Sequence, residues 1–153
     1  MSTAPCPPGN AVDCDPELRL ATPTVFDLRN RKKARNFIAA EITATGYFKF
    51  FVENLPKTTP RTGCPGWWLF QAAWDHFLSM GVTVLGVRGE WTFGDNLDMV
   101  NRLTANSAMS LEDAARLTWT GLRAQEKGFS TVSIIDQDGS PGNYLSIDVV
   151  FLP

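Results

Sequence analysis

The chain has 153 residues, of which 44% are hydrophobic and 20% charged, with a formal net charge of −2. That length suits one domain with a core large enough to need no metal or disulfide staple, and the composition excludes a largely disordered chain. No apolar run approaches the ~20 residues of a membrane-spanning helix, and 14 basic against 16 acidic residues leave no domain-wide nucleic-acid footprint.

Residues 1–25 hold five of the ten prolines and no hydrophobic period. They lack the basic start and continuous apolar stretch of a secretory signal. They read as a flexible Pro-rich arm of the kind that joins a domain to a longer chain, with a single α/β domain over 26–153. The basic run Arg29-Asn30-Arg31-Lys32-Lys33-Ala34-Arg35 leads into Phe37, Ile38 and Ile42, whose spacing predicts a short helix or a helix-to-strand passage. The run itself reads as a phosphate patch or as a solvated helix face, and it leaves nucleic-acid contact open.

Gly46 opens YFKFFVENL, an aromatic-rich strand that Pro56 ends. A loop punctuated by Pro60, Gly63, Pro65 and Gly66 follows. Leu69, Ala73, Phe77 and Met80 then recur at three- and four-residue steps, predicting an amphipathic helix that Gly81 stops. VTVLGV reads as a buried strand, RGEWTFGDN as the loop at its end, and DNLDMVNRLTANS as a short helix. Ser110-Leu111-Glu112-Asp113 caps a further helix that Gly128 closes. STVSIID and YLSIDVVFL are two strands joined by a turn with two glycines and a proline. The class is α/β (α+β), with a mixed sheet and helices on both faces.

One His and three Cys restrict the chemistry. A two-histidine acid/base pair cannot be built, the cysteine spacings match no structural zinc site, and the zinc-deaminase signature is absent. An odd cysteine count argues against a complete disulfide framework; the expectation is separate thiols in a reducing cytosol, the alternative a Cys6–Cys14 pair across a short loop. Cys64, just before a helix start, sits where a thiol is readily activated.

Two constellations remain. The first is strand, Gly-bearing turn, helix, strand over residues 46–88. A helix start offers unpaired N–H groups and a positive dipole end, so this turn is a candidate phosphate cradle. Arg61, Gly63, Gly66 and Trp67 are its candidate cofactor-binding residues. It has neither the Lys and hydroxyl of a P-loop nor a G-x-G-x-x-G. The second is RGEWTFGDN, at the strand end where α/β proteins gather ligands. Glu90 is the candidate general base, flanked by Trp91 and Phe93 as pocket walls. Asp95 is a second catalytic candidate, or a helix cap with Asn96. His76 is a third, or a half-exposed structural histidine beside Trp74 and Phe77. Arg88, Trp91, Phe93, Asn96 and Trp119 are candidate substrate contacts. No metal site is assigned, although Asp95 or Asp98 with Glu90 offers oxygen ligands of the type Mg²⁺ takes.

The segment Arg61-Thr62-Gly63-Cys64-Pro65-Gly66-Trp67-Trp68-Leu69-Phe70 resembles motif A of the GNAT superfamily of N-acetyltransferases, R/Q-x-x-G-x-G/A between a strand and a long helix. The order of elements over residues 36–153 is similar as well, through the helix AARLTWTGLRAQEKGF to the closing hairpin. The match here is R-x-G-x-x-G, and Pro65 lacks an N–H. Ala124 stands four residues before Gly128, where the family often has an acid tyrosine, and some twenty extra residues surround TFGDNLDMVNRLTANS. The resemblance implies a GNAT-like fold, acetyl-CoA as cofactor, and acyl transfer to a small-molecule or protein amine in the cytoplasm.

A different class stays open. The Pro-rich arm and α/β body resemble the C-terminal effector domains of bacterial polymorphic toxins, delivered into a target cell. That implies nuclease or nucleotide-directed activity through Glu90, Asp95, Arg88 and His76, with an immunity protein as partner. A third reading is a non-catalytic protein-binding module anchored by exposed tryptophans.

Overall fold

Strand alternation appears earlier in the chain than its residue pattern announces. The structure, a computed structural model, describes residues 4–106 and 109–153. Three strands precede the aromatic one: β1 (Pro16–Ala21), β2 (Val25–Asn30) and β3 (Arg35–Ile42), followed by β4 (Tyr47–Leu55). The expected arm therefore already pairs from Pro16, and the expected helix at the basic run is a β2–β3 hairpin. In β2 the buried positions are Phe26, Leu28 and Asn30, and in β3 they are Asn36, Ile38 and Ala40. The period is two, but two asparagines and an alanine on the inward face disguise it. Met1–Thr3 of the arm, and Ser107 at the end of an expected helix, lie outside the described residues.

Helix α1 (Gly66–Ser79) forms as its spacing requires, burying Trp68, Leu69, Phe70, Ala73, Trp74 and Phe77. Gly81, at φ +79°, ends it. The next strand does not start where VTVLGV suggests. The Val82 amide donates to the Phe77 carbonyl as part of the helix stop, and β5 runs instead over Gly86–Trp91. Arg88 and Glu90 thus lie inside a strand, on one face of it, rather than in a loop beyond it. Gly89 is required there, because a Cβ would come 2.5 Å from the Trp91 indole nitrogen.

Helix α2 (Asp95–Thr104) agrees with the sequence. The single helix expected from Ser110 to Gly128 is two, α3 (Leu111–Arg116) and α4 (Trp119–Glu126). Thr118 divides them: its hydroxyl donates to the Ala115 carbonyl at 2.7 Å and accepts from the Gly121 amide at 3.0 Å. This is a side chain bonding back three residues and capping the next helix at once. Ser110 caps α3 as expected, accepting from the Asp113 amide. The chain closes with the hairpin β6 (Thr131–Asp138) and β7 (Ser146–Leu152).

Among the described residues the result is an α+β fold of seven strands and four helices with mixed strand pairing. It divides into two compact units. The first comprises the chain to Thr45 with Lys49–Val84; its strands run in the order β1-β2-β3-β4, and α1 packs on β2 and β3. Leu28, Ile38, Leu69, Phe70 and Phe77 form its core. The second comprises Gly46–Phe48 with Leu85–Pro153. Here the start of β4 is followed by β5, β7 and β6, with both β5–β7 and β6–β7 antiparallel. The Gly46 carbonyl accepts from the Leu85 amide at 2.9 Å and Tyr47 lies against Gly86, so the start of β4 and β5 advance in the same direction. Phe48, Val87, Val100, Val149 and Phe151 are its fully buried centre.

Two of the three cysteines are not separate thiols. Cys14 and Cys64 form a disulfide across 50 residues, with Cα atoms 4.7 Å apart, while Cys6 is free and exposed. Such a separation leaves no trace in cysteine spacing. A cross-link closing a loop of this length restricts the unfolded chain and contributes about 2–4 kcal/mol. Cys64→Ser should therefore lower urea stability by about that amount, with dithiothreitol then having no further effect. Equal urea midpoints for wild type and variant would show that the bond adds nothing.

Candidate functional site

In the first unit, polar chemistry gathers where the N-terminal segment, the β2–β3 turn, the end of β4 and the loop before α1 converge. Asn36 is fully buried. Its Oδ1 accepts from Asn30 Nδ2 and the Cys64 amide, and its Nδ2 donates to the Glu53 and Cys64 carbonyls. Asn30 in turn donates to the Asp13 carbonyl and accepts from the Asp15 amide. Gly63, at φ +91°, fits because it has no side chain: a Cβ would lie 2.7 Å from Asn36 Oδ1 and 2.9 Å from Asn54 Oδ1.

This network decides what the expected phosphate turn can offer. The Gly63 amide donates to the Val12 carbonyl at 2.7 Å, the Cys64 amide is held by Asn36, and Pro65 has none. The donors left to a ligand are at the start of α1, where Pro65 is the N-cap and no side chain caps the helix. Gly66 and Trp67 open that helix, with Trp67 55% exposed. Arg61 is exposed and reaches back to the Asn54 carbonyl at 3.3 Å. Lys33 donates to the Pro56 and Thr62 carbonyls; burial holds its ammonium below the usual lysine range, Arg61 adding to this and Asp13 opposing it. Cys64, buried and disulfide-bonded, is no nucleophile.

The three arginines of the basic run face carboxylates. Arg29 pairs with Asp27 and lies over the Phe37 ring, Arg31 pairs with Glu17 and Asp15, and Arg35 pairs with Glu53. His76 has a packing role: its Nε2 is 2.7 Å from the Thr22 carbonyl, and its ring lies against Phe26.

In the second unit, Arg88, Glu90 and Trp91 come together. Glu90 and Trp91 line a cavity of ≈170 Å³ with Thr92, Asp136, Ser146, Ile147 and Asp148. Glu90 lies directly opposite Asp148 in the β5–β7 register, and Asp148 opposite Asp136 in the β6–β7 register. Three carboxylates thus stand in one row across three strands. Arg88 answers two of them, donating to Asp148 at 3.1 and 2.8 Å and pairing with Glu90 at 3.0 Å. The hydrogen bond to Asp148 raises the guanidinium above its ordinary range, against the burial that lowers it.

The other expected residues of this unit do not line the cavity. Phe93 is 67% exposed in the turn before α2, and Asp95 is exposed in the first turn of that helix, whose N-cap is Gly94. Asn96 neither caps nor contacts the cavity; its side chain joins α2 to α4 through Thr120, at 2.8 Å. Trp119 opens α4 beneath the Arg123 guanidinium. Asp136 and Asp148 were not among the sequence candidates. Asp148 had a signal, as the one charge within the apolar run Ile147–Leu152. Asp136 had none, because its place depends on register.

Among the described residues, no group of His, Cys, Asp and Glu is arranged to hold a metal ion, and no helix is long and apolar enough to cross a membrane. Comparison with protein-family profiles, curated proteins and solved structures finds no match to this chain. Gly63→Ala should destabilise the first unit by about 2 kcal/mol or more, combining a left-handed backbone with contact on two buried amides. A urea midpoint unchanged from wild type would contradict this account of the turn.

Proposed function

We propose that the chain is an acyl-CoA-dependent N-acyltransferase of GNAT-like fold, with Glu90 as its general base. The observation that carries the reading is the passage β4–turn–α1–β5, in which α1 begins at Gly66 with no side-chain cap. An uncapped helix start favours a pyrophosphate through its N–H groups and dipole. Gly66, having no side chain, permits close approach, and Arg61, exposed in the loop before it, supplies a cation. The family motif is met only in part, because the Gly63 and Cys64 amides are spent inside the protein. The cradle is therefore assigned to Gly66, Trp67 and Arg61.

Acetyl-CoA, when bound, supplies the activated acyl group. Glu90, 41% exposed at the cavity mouth, takes the proton from the acceptor amine directly or through one water. Ala124 is fully buried and donates nothing, so the departing thiolate takes its proton from solvent.

One observation favours the second reading, a delivered effector domain. The Cys14–Cys64 disulfide suits a chain that passes through an oxidising compartment, since such bonds are rare in the cytosol. Growth arrest on expression that is lost in Glu90→Ala and kept in Arg61→Ala would select that reading.

The deciding experiment is a thermal shift with millimolar acetyl-CoA. Ligand at 100-fold its Kd stabilises by about 2.7 kcal/mol, which corresponds to a rise of about 5–10 °C for a chain of this size. The rise should shrink in Arg61→Ala. No shift in the wild type would reject acyl-CoA as the cofactor.

A further inference from the structure

Glu90 stands in an arrangement that stability alone does not account for. Like charges directly opposite on neighbouring strands are destabilising, yet Glu90, Asp148 and Asp136 occupy one row of β5, β7 and β6. Exposed ion pairs return little in compensation. Exposure is graded along the row's ion pairs: the side chain of Asp148 is 21% exposed, Arg88 29% and Glu90 41%. Asp148 holds the guanidinium with two parallel bonds, Nε to Oδ1 and Nη2 to Oδ2. That bidentate geometry fixes the plane of the guanidinium. The same Nη2 then reaches Glu90 Oε1 at 3.0 Å.

We propose that Asp148 is a positioning residue for Glu90, acting through Arg88. The proposal rests on the acyltransferase reading, in which Glu90 is the base. Asp148 touches no reacting atom. It locks Arg88, and Arg88 holds Glu90 through Oε1 at the cavity that Glu90 lines. Arg88 is accordingly reassigned from a substrate contact to a link between two carboxylates. A long, half-exposed glutamate would otherwise sample several rotamers, and misplacement by about 1 Å can cost about 10²-fold in rate.

The test compares wild type, Asp148→Asn, Asp148→Glu and Arg88→Gln in acetyl transfer from acetyl-CoA to spermidine, ethanolamine and a lysine peptide. Asp148→Asn should lower kcat by about 10–100-fold with KM for acetyl-CoA unchanged, and Asp148→Glu should recover part of the loss. Arg88→Gln should lower kcat as Asp148→Asn does, because it removes the link between Asp148 and Glu90. Melting temperature and near-UV circular dichroism are followed in parallel and should remain those of the wild type in the two Asp148 variants. Wild-type kcat in Asp148→Asn would overturn the positioning role while leaving the acyltransferase reading intact. A wild-type protein that acetylates none of the amines would overturn that reading, and the positioning role with it.

Discussion

The first unit depends on one buried amide. Asn36 has no contact with solvent and uses both ends of its side chain, accepting from Asn30 and the Cys64 amide while donating to two backbone carbonyls. A buried polar group is tolerated when its hydrogen bonds are made, and costs several-fold more when they are not. Here the satisfied group joins four segments distant in sequence. Asn30 extends the network to Asp13 and Asp15, the disulfide adds a covalent tie at Cys14 and Cys64, and Gly63 leaves room for both asparagines. The loop entering α1 is therefore held from three sides, and its amides are used for holding rather than for binding.

The same economy of donors explains why the motif-like stretch from Arg61 to Gly66 works differently from its appearance. In the sequence it is a glycine-bearing turn with an arginine. In the fold, Gly63 answers a steric demand, Cys64 is a cross-link, and Pro65 presents the helix start without covering it. What remains for a ligand is the helix terminus itself. In the second unit the relation is reversed. Strand register assembles Glu90, Asp148 and Asp136 into one row, and Arg88 links two of its members.

Elements governed by local physics were legible in the residues. The helix at Gly66–Ser79 follows from apolar spacing and the Gly81 stop, α3 from the Ser110 cap, and the closing hairpin from alternation and its turn residues. Glu90, Arg88 and Trp91 were legible as a polar-aromatic cluster beside a strand. Elsewhere tertiary context overruled the local signal. The β2–β3 hairpin was hidden because its inward face carries Asn30 and Asn36, which become acceptable core residues only once they bond each other. The break at Thr118 was hidden because Gly121 must pass close to the Ala115 carbonyl, a contact no helical periodicity encodes. β5 shifted because Val82 was already committed to closing α1.

The sequence by itself thus determined the secondary-structure class and the aromatic-rich core, because composition, capping and periodicity act over a few residues. Only the tertiary structure decided the Cys14–Cys64 bond, the use of the Gly63 turn as a joint, and the partnership of Glu90 with Arg88 and Asp148. Each of these joins residues that are distant in sequence or paired by register, and register is set by the packing of whole strands rather than by the residues it brings together.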